Sequence, residues 1–185
     1  SAIAGWTGIT YRVVESPREM QIDLMEPLVV DSVVQNGRRV PHRRDGNLFY
    51  VTPSGPGGVG EIGTVTVYYH GRPIVAANAP WDGGFDWSED RNGKPWVATA
   101  VQGLGASAWW PNKDTQVEEP DSQRVALTVP DVLRLRGSRP RRPGGDDLQQ
   151  EEVAVRQEDH PGAGAVRQAA GLLPLRGPLG RPLRG

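Results

Sequence analysis

Through the first two thirds of the chain, short runs of apolar and polar residues in partial alternation are broken every few positions by turn-forming dipeptides. Residues 6–14 (WTGITYRVV), 19–24, 28–35 and 47–52 are rich in Val, Ile, Tyr and Thr, the residues that suit a pleated, half-buried surface, and they predict strands. Residues 63–70 (GTVTVYYH) form the clearest run, and 123–129 (QRVALTV) supply one more. Between them, Asn36-Gly37 and Asp45-Gly46 predict hairpin turns, because the central residues of a type I′ turn need the positive φ that Asn, Asp and Gly tolerate. Residues 54–60 (SGPGGVG) predict a longer loop. No helical period intervenes. The expected fold class is therefore all-β, an antiparallel β-sandwich or saddle-shaped sheet over residues 1–133.

The pattern breaks after Leu133. Residues 134–185 contain ten Arg, nine Gly and six Pro but no Phe, Tyr, Trp, Met, Ile, Asn, Lys or Thr. Ordering a backbone costs roughly 1–2 kcal/mol per residue, and this composition offers little apolar burial to offset it. The expectation is an irregular, disordered tail in which only residues 146–157 have marginal helical character. Two origins compete: a natural basic tail, and an out-of-frame translation of a GC-rich gene in which residues with AT-rich codons vanish. The frameshift is favoured because the break follows Thr128-Val129-Pro130 in mid-domain. An intact, unshifted reading frame ending at Gly185 would overturn it.

At 185 residues the chain has room for one ordinary domain and an extra segment, or for one large all-β domain. A formal charge of -1 leaves no electrostatic footprint for nucleic acid, and no apolar stretch is long enough for a helical membrane span. A soluble protein is the expectation. With no cysteine there are neither disulfides nor thiolate metal sites.

Several segments then fall in a recognisable order: 20–24 (MQIDL), 66–71 (TVYYHG), 79–85 (APWDGGF), 96–102 (WVATAVQ), 109–114 (WWPNKD) and 119–122 (EPDS). Over roughly residues 9–133 they resemble the amino-terminal β domain of the M1 zinc aminopeptidases, the last three of them (96–102, 109–114 and 119–122) one bacterial branch of that family. The resemblance implies a zinc exopeptidase that releases amino-terminal residues from peptides. In such enzymes an HExxH helix and a later Glu hold the metal and activate its water, because two His at i and i+4 project from one helical face. Those parts lie in a thermolysin-like domain that follows the β domain. This chain has neither HExxH nor the family's GxMEN loop, and His42, His70 and His160 are too widely separated to imitate the spacing.

Alone, the chain is thus expected to be catalytically incomplete, with no catalytic or metal-ligating residue of its own. Zinc belongs to the intact family enzyme, and the implied partners are the missing catalytic domain and, through it, a peptide substrate. The resemblance places Gln102 where the family's β domain accepts a hydrogen bond from the substrate's free ammonium, and Gly103 where space is left for the first substrate side chain. Read from the residues alone, the better account of Gln102 is a strand end where it satisfies backbone groups, and it is the resemblance that reverses that preference for the intact enzyme. An unpartnered domain of this kind is expected to aggregate through the surface left open. Compartment rests on the resemblance alone, which points to a bacterial-type soluble protein and leans to the periplasm or secretion.

Rival motifs are weaker. Residues 103–108 (GLGASA) match GxGxxA, but Pro111 and two tryptophans leave no room for the helix a pyrophosphate site needs. The 55–60 loop lacks the Lys-Ser/Thr of a phosphate loop. Residues 86–93 (DWSEDRNG) suggest a calcium loop, yet Thr99 stands where a bidentate Glu belongs, so a hairpin turn at Asn92-Gly93 is the better account. Glu118, Glu119 and Asp121 are expected to be a solvated loop. Trp81, Trp87, Trp96, Trp109 and Trp110 open the alternative of a carbohydrate-binding β-sandwich with stacking rings, against plain packing in a core or domain interface.

Overall fold

The structure, a computed structural model, describes residues 2–15, 19–55, 57–115, 123–128 and 164–175. Its elements are β1 (Ile3–Val13), β2 (Met20–Asp23), β3 (Val29–Gln35), β4 (Arg38–Arg39), β5 (His42–Asp45), β6 (Leu48–Val51), β7 (Ile62–Gly71), β8 (Gly84–Glu89), β9 (Pro95–Ala100), β10 (Gln123–Thr128) and β11 (Gly164–Leu175), with one 3₁₀ turn at Ala106–Ala108. The all-β expectation holds. A six-stranded sheet runs β10-β11-β1-β7-β3-β4, a three-stranded sheet runs β2-β6-β5, and β8 pairs with β9. Every pairing is antiparallel except β1 with β11, which is parallel.

Alternation sorts the faces as a pleated strand must. Along β1, Thr7, Ile9, Tyr11 and Val13 turn inward while Arg12 is exposed; along β7, Val65, Val67 and Tyr69 are buried while Tyr68 and His70 face out. Met20 and Ile22 of β2 and Phe49 and Val51 of β6 join that inner face in one apolar cluster. On the outward face the Thr10 and Thr64 hydroxyls lie 2.9 Å apart.

Each of the six anticipated runs is a strand. Asn36 and Gly37 have φ of 50° and 73°, as the first predicted hairpin requires. The second turn is displaced by one residue. Asp45 still pairs with Leu48, so Gly46 and Asn47 form the turn; Gly46 has φ 58° and Asn47 is not in the positive region, the pattern of a type II′ turn.

Strands β4 and β5 escaped the sequence reading because RR and HRRD show no apolar alternation. Arg44 explains the second. Its guanidinium reaches the Gly46, Leu28 and Leu24 carbonyls at 2.7, 2.6 and 2.6 Å, so a charged residue takes an inward strand position by satisfying backbone acceptors.

Of the segment expected as an irregular tail, residues 134–163 and 176–185 lie outside those described, the expected helical stretch 146–157 among them. Gly164–Leu175 lies between β1 and β10, with a register shift opposite Gly8/Thr10. Main-chain pairing needs little from side chains, so composition gave no sign of this strand.

Candidate functional site

Strand β9 ends at Ala100, and the chain turns sharply at once. The Leu104 and Gly105 amides both donate to the Val101 carbonyl, at 3.1 and 2.7 Å, which puts Gln102 and Gly103 at the apex of the turn. Both are exposed. Gln102 makes no side-chain hydrogen bond to another described residue, so it is not occupied in satisfying the strand end. Around Gly103 a methyl group would meet nothing within 4 Å.

The turn is gripped from below. Leu104 packs against Gly83, where an added Cβ would come within 2.8 Å of the leucine side chain. At Gly105, with φ 94°, an added Cβ would collide with the Asp114 carboxylate. That carboxylate accepts the Ser107 amide at 3.2 and 3.3 Å and the Asn112 side-chain amide at 3.0 Å. The loop beyond is stitched to β2: Asp23 and Asn112 exchange backbone bonds of 2.7 and 3.0 Å, and Met25 donates to the Ser107 carbonyl at 2.9 Å. Among the described residues, the helical structure that follows the GLGASA glycines is the 3₁₀ turn at Ala106–Ala108, too short for a pyrophosphate-binding helix, so the glycines act as turn formers.

The β8–β9 hairpin that carries the turn rests on aromatic contacts. Phe85 stacks on Trp87 with centroids 5.4 Å apart and meets Trp109 edge-on at 5.4 Å, while Trp109 and Trp110 lie 4.7 Å apart. Phe85 is buried, and Trp87, Trp109 and Trp110 pack against the main core. Trp81 and Trp96 do otherwise, being 88% and 52% exposed. The five tryptophans therefore divide between packing and open surface.

At the far end of the hairpin, Asp90 accepts the Asn92 and Lys94 amides at 2.8 and 3.0 Å. These bonds, Lys94 first, hold its carboxyl below the usual range. Gly93 closes the loop onto the Asp90 carbonyl at 2.9 Å, so the segment considered as a calcium loop is a hairpin turn. His42 lies on β5, and His70 on β7 bonds Asp31 at 2.7 Å; His160, Glu118, Glu119 and Asp121 lie outside the described residues. Among the described residues no group of three or more His, Asp or Glu could hold a metal ion, and no helix is long and apolar enough to cross a membrane.

Sequence reasoning missed the base of the site. It named Gln102 and Gly103 but not Asp114, Asp23 or Gly83, which meet the turn from other parts of the chain. The one available signal was the positive-φ habit of glycine at Gly105.

No protein-family model matches the chain, and no characterised protein matches it in sequence. Among solved structures it is similar to an M1 zinc metallopeptidase from Deinococcus radiodurans, at 15% identity and TM-score 0.43 over 68% of this chain and 34% of that one. A variant of a two-domain M1 zinc metallopeptidase bound to L-arginine gives 18% identity and TM-score 0.42, over 68% and 33%. Yeast LTA4 hydrolase in complex with bestatin gives 15% and 0.43, over 65% and 22%. The chain thus spans at most about a third of the length of these structures.

Proposed function

We propose that this chain is the amino-terminal β domain of an M1-type zinc aminopeptidase, walling one side of the substrate cleft and presenting Gln102 to the free amino group of a peptide. The observation that carries the reading is the Gln102–Gly103 apex: an uncommitted carboxamide on an exposed turn whose base is held by Leu104, Gly105 and Asp114. A side-chain oxygen facing an ammonium gains roughly 1.5–3 kcal/mol where water is excluded, enough to favour a free amino terminus over an internal amide. That contact alone falls short of the roughly 4.1 kcal/mol of a 1 mM complex, so useful affinity and all of the chemistry belong to a zinc-bearing domain. Gly103 leaves room for the first substrate side chain.

The test is a titration of the isotope-labelled chain with a tripeptide, followed through the Gln102 side-chain amide and carried to about 100 mM, because a single contact of that strength supports a dissociation constant on the order of 10–100 mM. The free peptide is expected to move that resonance and its N-acetyl form to leave it in place. Equal shifts from both, or a response unchanged in Gln102→Ala, would sink the reading. The chain alone is expected not to hydrolyse aminoacyl anilides; chelator-sensitive turnover by the purified chain would overturn the assignment of the chemistry to another domain.

The exposure of Trp81 and Trp96 favours one other reading, a sugar-binding surface. Quenching or enhancement of tryptophan fluorescence by an oligosaccharide, lost in Trp81→Ala and Trp96→Ala, would support it over the peptidase reading.

A further inference from the structure

Three fixed points converge beneath the Gln102 turn, and two of them run through one side chain. Asp114 takes the Ser107 amide and the Asn112 side-chain amide on its carboxylate, and the same carboxylate is the wall against which Gly105 lies. Its own amide donates to Asp23 Oδ2 at 2.9 Å, while Gln21 Nε2 donates to Asp23 Oδ1 at 3.1 Å. Both Gln21 and Asp23 belong to β2, paired with β6 in the three-stranded sheet. A continuous path of hydrogen bonds and contact therefore leads from that sheet through Asp23 and Asp114 to Gly105, whose amide closes the turn on Val101. Leu104 on Gly83 supplies the third point, from the hairpin side.

We propose that Asp114 is a positioning residue that sets the height and orientation of the Gln102–Gly103 turn, with Asp23 as its anchor. The proposal rests on the assignment of Gln102 to the substrate ammonium. Asp114 does not touch substrate. It acts by holding the second leg of the turn: without the carboxylate, Ser107 loses an acceptor, Gly105 loses its wall, and the apex is free to pivot about Leu104. An oxygen acceptor of the same shape is sufficient, so the role is geometric and does not depend on the charge.

The experiment uses the full chain, isotope-labelled, in wild type, Asp114→Ala, Asp114→Asn and Asp23→Ala. Asp114→Ala is expected to speed amide exchange at Leu104, Gly105 and Ser107 by about fivefold, the factor one ordinary hydrogen bond carries, while Ile9 and Val65 in the main sheet stay protected. It is also expected to weaken the response of the Gln102 side-chain amide to a free-amino-terminal tripeptide by a similar factor. Asp114→Asn restores both readouts. Asp23→Ala, which leaves the Asp114 carboxylate in place, gives a smaller loss and serves in its stead should Asp114→Ala unfold. Unchanged exchange at Leu104 and Gly105 in both alanine variants, or an Asp114→Asn protein as impaired as Asp114→Ala, would overturn the proposal. A wild-type chain whose Gln102 ignores the tripeptide would refute the substrate assignment instead, and the exchange rates would still decide what holds the turn.

Discussion

Gln35 donates to the Tyr11 hydroxyl at 2.8 Å in the interior between β3 and β1, and Tyr11 passes a bond of 2.9 Å on to the Gly55 carbonyl. The Gln35 amide also reaches Gly55 O at 2.7 Å, and its oxygen accepts the Ser54 amide at 2.7 Å. One buried carboxamide thereby pins the start of the glycine-rich loop to the sheet. Gln35→Leu strands the Ser54 amide and removes donors to Tyr11 and Gly55, at about 1–3 kcal/mol for each buried group left unsatisfied. The expected outcome is a lower urea midpoint with faster amide exchange at Ser54; an unchanged midpoint would count against the network.

Tyr69 adds an alkaline dependence to the stability of the fold. Its hydroxyl is buried without a hydrogen-bond partner among the described residues, and burial pushes its pKa well above the ordinary 10.0. The folded form therefore holds its proton to higher pH than the unfolded form. This contribution is complete below about pH 10 and is lost as pH rises beyond it, by up to about 1.4 kcal/mol per pH unit. Denaturation above pH 10 should be shallower in Tyr69→Phe than in wild type. At neutral pH that variant should be no less stable, since it removes an unsatisfied polar group. Parallel alkaline curves for the two proteins would refute the account.

Gly105 and Gly103 predict opposite outcomes for one substitution. Gly105→Ala drives a Cβ into the Asp114 carboxylate at a positive φ, and should cost about 1–3 kcal/mol with loosening of the 101–107 segment. Gly103→Ala meets open space, and should leave thermal stability within about 0.5 kcal/mol of wild type. Calorimetry on the pair distinguishes them, and equal effects would contradict the clamped turn.

Aromatic truncations separate packing from surface. Phe85→Ala removes a buried ring flanked by Trp87 and Trp109 and should cost about 3–5 kcal/mol. Trp81→Ala, at 88% exposure, should stay within about 0.5 kcal/mol in stability. A Trp81→Ala protein as destabilised as Phe85→Ala would place that ring in the core.

Alternating Val, Ile and Tyr announced β1, β3 and β7, because burial on one face of a pleated strand leaves a period of two in the residues themselves. The Asn36-Gly37 turn was legible for a similar reason, its backbone needing residues that tolerate positive φ. Arg44 hid β5, since a guanidinium that satisfies three carbonyls looks, in sequence, like any exposed charge. Trp109 and Trp81 look alike as residues, and only packing sends one against Phe85 and the other to the surface.

By itself the sequence determined the all-β class and the six runs that form β1, β2, β3, β6, β7 and β10, all of which rest on local chemistry. Tertiary structure alone decided that Asp114 and Asp23 lie beneath the Gln102 turn and that Gly164–Leu175 pairs in parallel with β1. Contacts between residues 91 positions apart leave no local pattern, and main-chain pairing draws on groups that every residue shares.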